Sequence, residues 1–419
     1  MTDTALSAAD AARRILARIR VQPAVTVPLD DALGMVLAED VRSPLDLPPY
    51  ANAGMDGYAC RAEDVRGATA ATPVQLRVVE QIAAGAFPTI VIAAGTCARI
   101  FTGAPMPAGA DTVIRQEDTD LGTTRVEIRH DRDAGVNVRA AGEDLRLAAL
   151  AIAAGTPLGA PHLGVLASIA VARPRVYRRP RVGLLSSGDE LASVHDREAI
   201  VSGRKIASSN THSLAALVRL AGAEPIMLGV AADTPASLRA CIARAAECDL
   251  LVTSAGISVG DHDHVRGVMT DLGTEMDFWR LRMRPGAPVG FGLLGELPWI
   301  GLPGNPVSAM VTCELFVRPA IRRMIGHALP FRRGTTVHTA DAIALAPRLQ
   351  HFLRVQLEPG TDGVERARLT GAQGSGLLTS MMRADALLVV PEGQHQTPAG
   401  ASLTALRLDE ARHQAEPAF

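Results

Sequence analysis

Residues 181–191 read RVGLLSSGDEL. The first seven form an apolar run ending in two hydroxyls, and a glycine and two acids follow at once. A run this short, closed by a turn signal, reads as a strand buried on both faces. The alternation continues downstream. SNTHSLAALVRLAG (209–222) reads as a helix with Asn210 as its cap and Gly222 as its stop. PIMLGVAAD (225–233) is strand and turn, TPASLRACIARAAEC (234–248) a helix, and DLLVTS (249–254) a strand. VGFGLL (289–294) is a further strand, and NPVSAMVTCELFVRPAIRRM (305–324) a further helix. Strands and helices alternating through 177–326 predict an open, mainly parallel α/β sheet. In such sheets ligands sit beyond the carboxyl ends of the strands, so the segments just after them are where chemistry is expected.

Working outward, Ala12, Ile15, Leu16 and Ile19 recur at helical spacing within 7–20, Ser7 can cap, and Pro23 and Pro28 end the helix. Residues 29–42 read as a short helix and strand. PLDLPPY (44–50) is a proline-rich linker and a domain boundary. Residues 51–144 change character: VQLRVVEQIAAG, TCARIFTGAP, DTVIRQED and TRVEIRHD are short alternating runs between Gly, Pro and Asp. They predict a small, barrel-like β domain. Residues 145–176 form a return segment and connector, and after PFRRG (330–334) residues 335–410 return to short β runs. The fold class is therefore multidomain α/β plus β, with no internal repeat.

Composition excludes several classes. At 419 residues the chain holds two to four domains. Its net charge of −2 comes with no basic stripe, which argues against nucleic acid. No apolar run approaches the ~18 residues of a membrane span, and the first 20 residues lack the apolar core of a signal peptide. A cytoplasmic location is expected. The five cysteines, Cys60, Cys97, Cys241, Cys248 and Cys313, are odd in number and never paired as CxxC, against a disulfide framework or zinc site. Only one lysine is present, Lys205; the other basic side chains are Arg.

Four segments are placed for chemistry. In SSGDEL (186–191), Ser187 and Gly188 bring backbone toward a ligand, and Asp189 and Glu190 suit a hard cation beside phosphate oxygens. TSAGISVGDHDHV (253–265) follows a strand and combines Gly256 and Ser258 with Asp261 and Asp263, which suits an anion bridged by Mg²⁺. His262 and His264 read as solvated. In GLPGNPVSAM (301–310), Pro303 and Pro306 stiffen Gly304-Asn305 at a helix entry, with Ser308 in the first turn, and a helix N-terminus is a ready anion site. RLRMRPGAP (280–288) supplies Arg280, Arg282 and Arg284, able to clamp an oxyanion or to form a solvated edge. In the β insert, AGMDGYA (53–59), FTGAPMP (101–107) and RAAGEDL (139–145) set Asp56, Thr102, Glu143 and Asp144 beside glycines. Periodicity assigns those four no role.

Taken in order, MDGYA, TGAP, GED, S-x-GDEL, S-x-G-x-SVGD-x-D, PG-x-P and GLPGNPVSA resemble the molybdopterin molybdenumtransferases, a family that includes the E domain of gephyrin. The resemblance spans about residues 7–410. It implies an α/β molybdopterin-binding domain from 7–22 and 177–327, a connecting domain from 23–44 and 145–176, an inserted β domain at 45–144, and a C-terminal β domain at 328–419. It implies a homodimer whose cleft is shared between protomers, and a reaction in which adenylyl-molybdopterin and molybdate yield molybdenum-molybdopterin and AMP with Mg²⁺ assisting. Handover from a molybdopterin adenylyltransferase and delivery to molybdoenzymes would flank that step. Asp189, Glu190, Asp261 and Asp263 would hold the metal and pyrophosphate, and Asp233 matches a further acidic position. Gly256, Ser258, Pro303, Gly304, Asn305, Pro306 and Ser308 would shape the anion pocket. Asp56, Thr102 and Asp144 would reach in from the partner chain.

The departures reduce positive charge and space. Ser254-Ala255-Gly256 stands where two glycines are usual, and the alanine methyl narrows backbone approach unless its φ is negative. Arg280, Arg284 and Ala287 stand at lysine positions, Ser187 replaces a threonine, and Ala140 and Ala141 follow Arg139 where basic residues are common. Two other readings are a molybdopterin adenylyltransferase, against which the chain's length and MDGYA argue, and a non-catalytic scaffold, against which the retained acids argue.

Overall fold

The computed structural model describes residues 5–255, 264–345, 348–360 and 363–408. The chain divides into two compact units, Thr26–Leu33 with Glu39–Arg175, and Met1–Val25 with Gly34–Ala38 and Val176–Phe419.

The smaller unit is built on five strands: β1 (Gly57–Cys60), β2 (Val74–Ile82), β3 (Thr96–Ile100), β4 (Thr112–Arg115) and β5 (Arg125–Ile128). They form one open sheet in the order β4-β1-β3-β2-β5, a half-barrel, with β2 and β3 parallel and the other pairs antiparallel. Alternation along the strands fills both faces. Tyr58, Cys60, Leu76, Cys97, Ile114, Val126 and Ile128 pack on one side, and Ala59, Ile82, Ala98, Ile100 and Val113 on the other. The strands of this unit thus form a curved sheet.

The larger unit contains the α/β sheet. Its strands are β6 (Arg181–Ser187), β7 (Glu224–Ala231), β8 (Leu250–Ser254), β9 (Glu275–Arg280), β10 (Pro288–Leu294) and β11 (Leu297–Leu302). Their order is β7-β6-β8-β11-β10-β9. The pairs β6–β7, β6–β8 and β8–β11 are parallel, and β11–β10 and β10–β9 antiparallel. From β6 the chain runs outward to β7, then crosses back to β8 on the other side. A topological switch point therefore lies between β6 and β8. The helices are α1 (Ala8–Arg18), α2 (Ser209–Ala221), α3 (Pro235–Ala243), α4 (His264–Asp271), α5 (Pro306–Thr312) and α6 (Arg318–Met324). Ala11, Ala12 and Ile15 of α1 are buried in the same core as Val182, Leu214, Phe291 and Phe316.

The C-terminal strands are β12 (Gly334–Thr339), β13 (Gln350–Glu358), β14 (Arg366–Leu369), β15 (Ala386–Val390) and β16 (Ser402–Arg407). They run β13-β14-β12-β16-β15, and β15 pairs back to β13, closing a five-stranded barrel with no free edge. Met283–Arg284 adds beside β13, so the RLRMRPG segment joins this barrel to the α/β sheet. No helix among the described residues is long and apolar enough to cross a membrane.

Four details depart from the sequence reading. Asn210 lies inside α2 rather than capping it; Ser208 takes the cap position without a side-chain bond to the helix. The helix read over 234–248 ends at Ala243 and continues as a 3₁₀ turn, Arg244–Glu247. The helix read over 305–324 is split by a π turn, Cys313–Val317, between α5 and α6. Pro319 explains the break, since proline has no N–H to donate and its ring crowds the carbonyl four residues back. Strands β9 and β11 had no signal, because EMDFWR is short and polar-flanked and LPWIGL contains Pro298.

Candidate active site

At the switch point the ends of β6 and β8 are joined by hydroxyls. Ser186 and Ser254 are register partners, and their Oγ atoms lie 2.9 Å apart. Ser186 Oγ also meets Thr211 Oγ1 of α2 at 3.1 Å, and Thr211 meets Ser208 at 2.5 Å. Ser186, Ser208 and Ser254 are buried. A chain of hydroxyls, each able to donate and accept, satisfies this interior without charge. It holds open a cleft of about 420 Å³ whose lining includes Ser187, Glu190, Ser209, Asn210, Ala255, Pro303, Gly304, Asn305 and Pro306.

One wall is the turn after β6. Gly188 has φ +150°, and a Cβ there would come within 2.6 Å of a Glu190 carboxylate oxygen, so only glycine leaves Glu190 its place. Asp189 and Asp233 are mutually tied. The Asp189 N–H donates to the Asp233 carboxylate at 3.3 Å, and the Asp233 N–H to that of Asp189 at 3.1 Å. Lys205 donates its ammonium to the Asp189 carbonyl. The lone lysine therefore sits on the acidic turn, and its singularity was the only sequence signal for it.

The opposite wall is the turn after β11. Pro306 opens α5 and Asn305 occupies the cap without a side-chain bond. The Val307 N–H, the first donor that the helix entry has to offer, is already given to the Ser375 carbonyl at 3.0 Å. Ser308 is buried and does not line the cleft. Asn210 turns its amide across to this wall, donating Nδ2 to the Gly304 carbonyl at 2.7 Å. Arg280 and Arg284 are exposed and are not among the lining residues, and Arg282 is engaged by Glu392 at 3.2 Å and the Ala5 carbonyl. Gly256, Ser258, Asp261 and Asp263 lie outside the described residues.

The remaining predicted residues belong to the half-barrel unit. Asp56 Oδ1 accepts from both the N–H and the hydroxyl of Thr102, each at 2.7 Å. These two bonds hold its carboxyl below the usual carboxylate range, aided by the Arg99 charge and opposed by partial burial. Asp144 lines a hollow of about 540 Å³ with Leu47, Pro48, Asn52, Arg139 and Glu143. Glu143 accepts from the Ala140 N–H at 2.9 Å.

The buried cysteines are poor thiolate nucleophiles. All five are free, Cys60, Cys97 and Cys313 are buried, and burial pushes the Cys97 thiol up to about 12. Among the described residues no three metal-ligating side chains gather.

Three stretches match family descriptions: residues 6–170 the MoeA N-terminal region (domain I and II), 183–323 a probable molybdopterin binding domain, and 336–408 the MoeA C-terminal region (domain IV). A molybdopterin molybdenumtransferase of Nostoc sp. is 36% identical, over 90% of this chain and 87% of that protein. Molybdopterin molybdenumtransferase 2 of Mycobacterium tuberculosis is 36% identical over 90% of this chain and 94% of its own. The chain belongs to the molybdopterin molybdenumtransferase family. A solved molybdopterin biosynthesis MoeA protein from Pyrococcus horikoshii superposes with a TM-score of 0.81 at 27% identity, covering 96% of this chain and all of that one. The multidomain α/β plus β fold class follows from this match.

Within this molybdopterin molybdenumtransferase fold, Ala255 takes φ +78°. The narrowing expected for a positive φ therefore applies. Its methyl lies 3.1 Å from where a Gly304 Cβ would stand, so any larger residue at 304 would press the two turns against each other. Left-handed backbone costs an alanine about 1–2 kcal/mol. Sequence reasoning also missed Arg354. It is fully buried on β13, and its guanidinium donates to Ser380 Oγ at 2.9 Å, to the Gly374 carbonyl at 3.0 Å and to the Gln373 carbonyl at 3.2 Å. It moulds the 371–376 loop that carries the Ser375 carbonyl to α5. A single arginine among many gives no signal for this in sequence.

Proposed function

We propose that the chain is a molybdenum insertase. It takes adenylyl-molybdopterin and molybdate, hydrolyses the bond between the two phosphoryl groups with one water, releases AMP and leaves molybdenum on the dithiolene. The observation that carries this reading is the cleft at the β6–β8 switch point, walled by a GDE turn and a GNP turn, in a chain of this family. Small residues and backbone line it, which suits close approach of a phosphate-bearing ligand. Asp189 and Glu190 are hard oxygen donors of the kind Mg²⁺ takes, Asp261 and Asp263 complete the proposed set, and Asp233 is a further acid beside it. When bound there, Mg²⁺ would neutralise charge on the phosphate oxygens. Arg280 and Arg284 draw the oxyanion toward the site, while Ser187, Gly188, Gly256, Ser258, Pro303, Gly304, Asn305 and Pro306 position the substrate, and Ser308, buried behind them, shapes the helix entry. Cleavage of this kind rests on positioning and charge, without a covalent nucleophile.

The four-domain division given above, with 23–44 and 145–176 as a connector, belongs to the same proposal. So does a cytoplasmic homodimer in which Asp56, Thr102 and Asp144 of one protomer complete the cleft of the other. A molybdopterin adenylyltransferase would supply the substrate and molybdoenzymes receive the product. The test is AMP release from adenylyl-molybdopterin with Mg²⁺, followed with and without molybdate. Molybdate is expected to accelerate release, and Asp263→Asn to lower it at least 100-fold, a loss of ~2.7 kcal/mol in transition-state stabilisation. Binding of substrate with no AMP release at any molybdate concentration would refute the reading.

A further inference from the structure

We propose that Arg99 is a positioning residue for the Asp56–Thr102 pair, acting from behind the catalytic corner of the half-barrel. The inference rests on the proposed role of Asp56. Arg99 lies on β3 directly across from Tyr58 of β1. Its guanidinium is held by aromatic faces, 5.0 Å from the ring centres of both Tyr58 and Phe101. Its donors are spent on the two segments that flank Asp56: the Gly57 carbonyl at 3.1 Å and the Gln116 side-chain oxygen at 2.5 Å. Gln116 in turn gives its backbone N–H to the Asp56 carbonyl at 3.0 Å. Phe101 immediately precedes Thr102, whose N–H and hydroxyl hold the Asp56 carboxylate. One planar cation thus grips the carbonyl of the residue after Asp56, the side chain of the residue whose N–H holds the Asp56 carbonyl, and the ring before Thr102. Lysine has no planar fork to make these contacts together.

The guanidinium also lies close enough to favour the charged form of Asp56. Other charges stand at this end of the sheet. Arg115, opposite Gly57, is taken up by Asp133 at 2.8 Å, and Glu117 follows Gln116 in the chain. Arg99 is therefore the cation left to act on Asp56 among these groups. The arrangement predicts a residue that never touches substrate yet sets the direction and protonation of one that does.

The test combines two readouts on the full-length protein with Arg99→Met and Arg99→Lys. The first needs no turnover. The amide resonance of Thr102, bonded to the Asp56 carboxylate, is followed against pH by NMR. In Arg99→Met its titration midpoint is expected to move upward and its hydrogen exchange to quicken at least tenfold, while Arg99→Lys restores the midpoint but not the slow exchange. The second is molybdate-dependent AMP release. Arg99→Met is expected to lower kcat at least tenfold with KM changed less than threefold. Added to Asp56→Asn it is expected to cost less than a further twofold, because both changes remove one function. An unmoved Thr102 titration in Arg99→Met, or a double variant whose losses multiply, would overturn the inference. A wild-type protein without AMP release would overturn the proposed function instead, and the Thr102 titration would still decide for or against Arg99.

Discussion

Arg354→Met is expected to destabilise the protein by about 3–5 kcal/mol, from the loss of several charge-assisted hydrogen bonds each worth about 1.5–3 kcal/mol. Arg354 is wholly buried, and its bonds run to one hydroxyl and to peptide carbonyls of the 371–376 loop. Its own backbone is clasped as well: the Arg354 N–H donates to the Gln373 side-chain oxygen at 2.8 Å, and Gln373 Nε2 donates to the Arg354 carbonyl at 3.1 Å. Methionine fills similar volume but donates no hydrogen bond, so those carbonyls lose the guanidinium that gathers them. The loop would relax, and with it the Ser375 carbonyl that closes the entry of α5 behind the GNP turn. Chemical denaturation monitored in the C-terminal barrel, beside steady-state kinetics, checks this. A variant as stable as wild type, with unchanged kcat/KM, would show that the loop is not held by Arg354.

Gly57→Ala is expected to be as damaging in the other unit, by more than about 3 kcal/mol. A Cβ on residue 57 would stand 1.9 Å from the Ile114 carbonyl oxygen and 3.2 Å from the Arg115 Cα. These are backbone atoms of the neighbouring strand, so no rotamer relieves the clash, and β1 and β4 must separate. β1 is wholly buried and β4 is the edge strand of the sheet, so the separation peels β4 away and uncovers β1. Gly67→Ala provides the contrast. Its φ is +79° but nothing lies within 4 Å, so the cost is backbone strain alone, about 1–2 kcal/mol. Hydrogen exchange across residues 57–128 should rise sharply in the first variant and little in the second. Equal exchange in both would mean that β1 and β4 do not pack this closely in solution.

What was legible in sequence followed from period and punctuation. RVGLLSS became β6 with the same bounds, and Gly222 stops α2 with φ +101°. The acid turn after β6 and the GNP turn after β11 do face one cleft, because parallel topology carries both strand ends to the same edge. Less visible was everything that depends on contacts between distant segments. Asn210 was read as a cap, yet its amide crosses to Gly304, a choice made by tertiary packing. Ser254, Ser186, Thr211 and Ser208 form a chain that only the β6–β8 register creates. Arg99 and Arg354 are two arginines among many, and what distinguishes them is aromatic faces in one case and the peptide carbonyls of one loop in the other. The anion site read at the start of α5 is partly closed by Ser375, a residue some seventy positions downstream.

The most direct test of the proposed insertion is to count products in a single turnover: molybdenum bound to the pterin dithiolene against AMP released, with purified protein, adenylyl-molybdopterin, Mg²⁺ and molybdate. One molybdenum per AMP is expected, with both lost together in Asp56→Asn. AMP release that ignores molybdate, or that leaves the dithiolene without metal, would contradict the proposal.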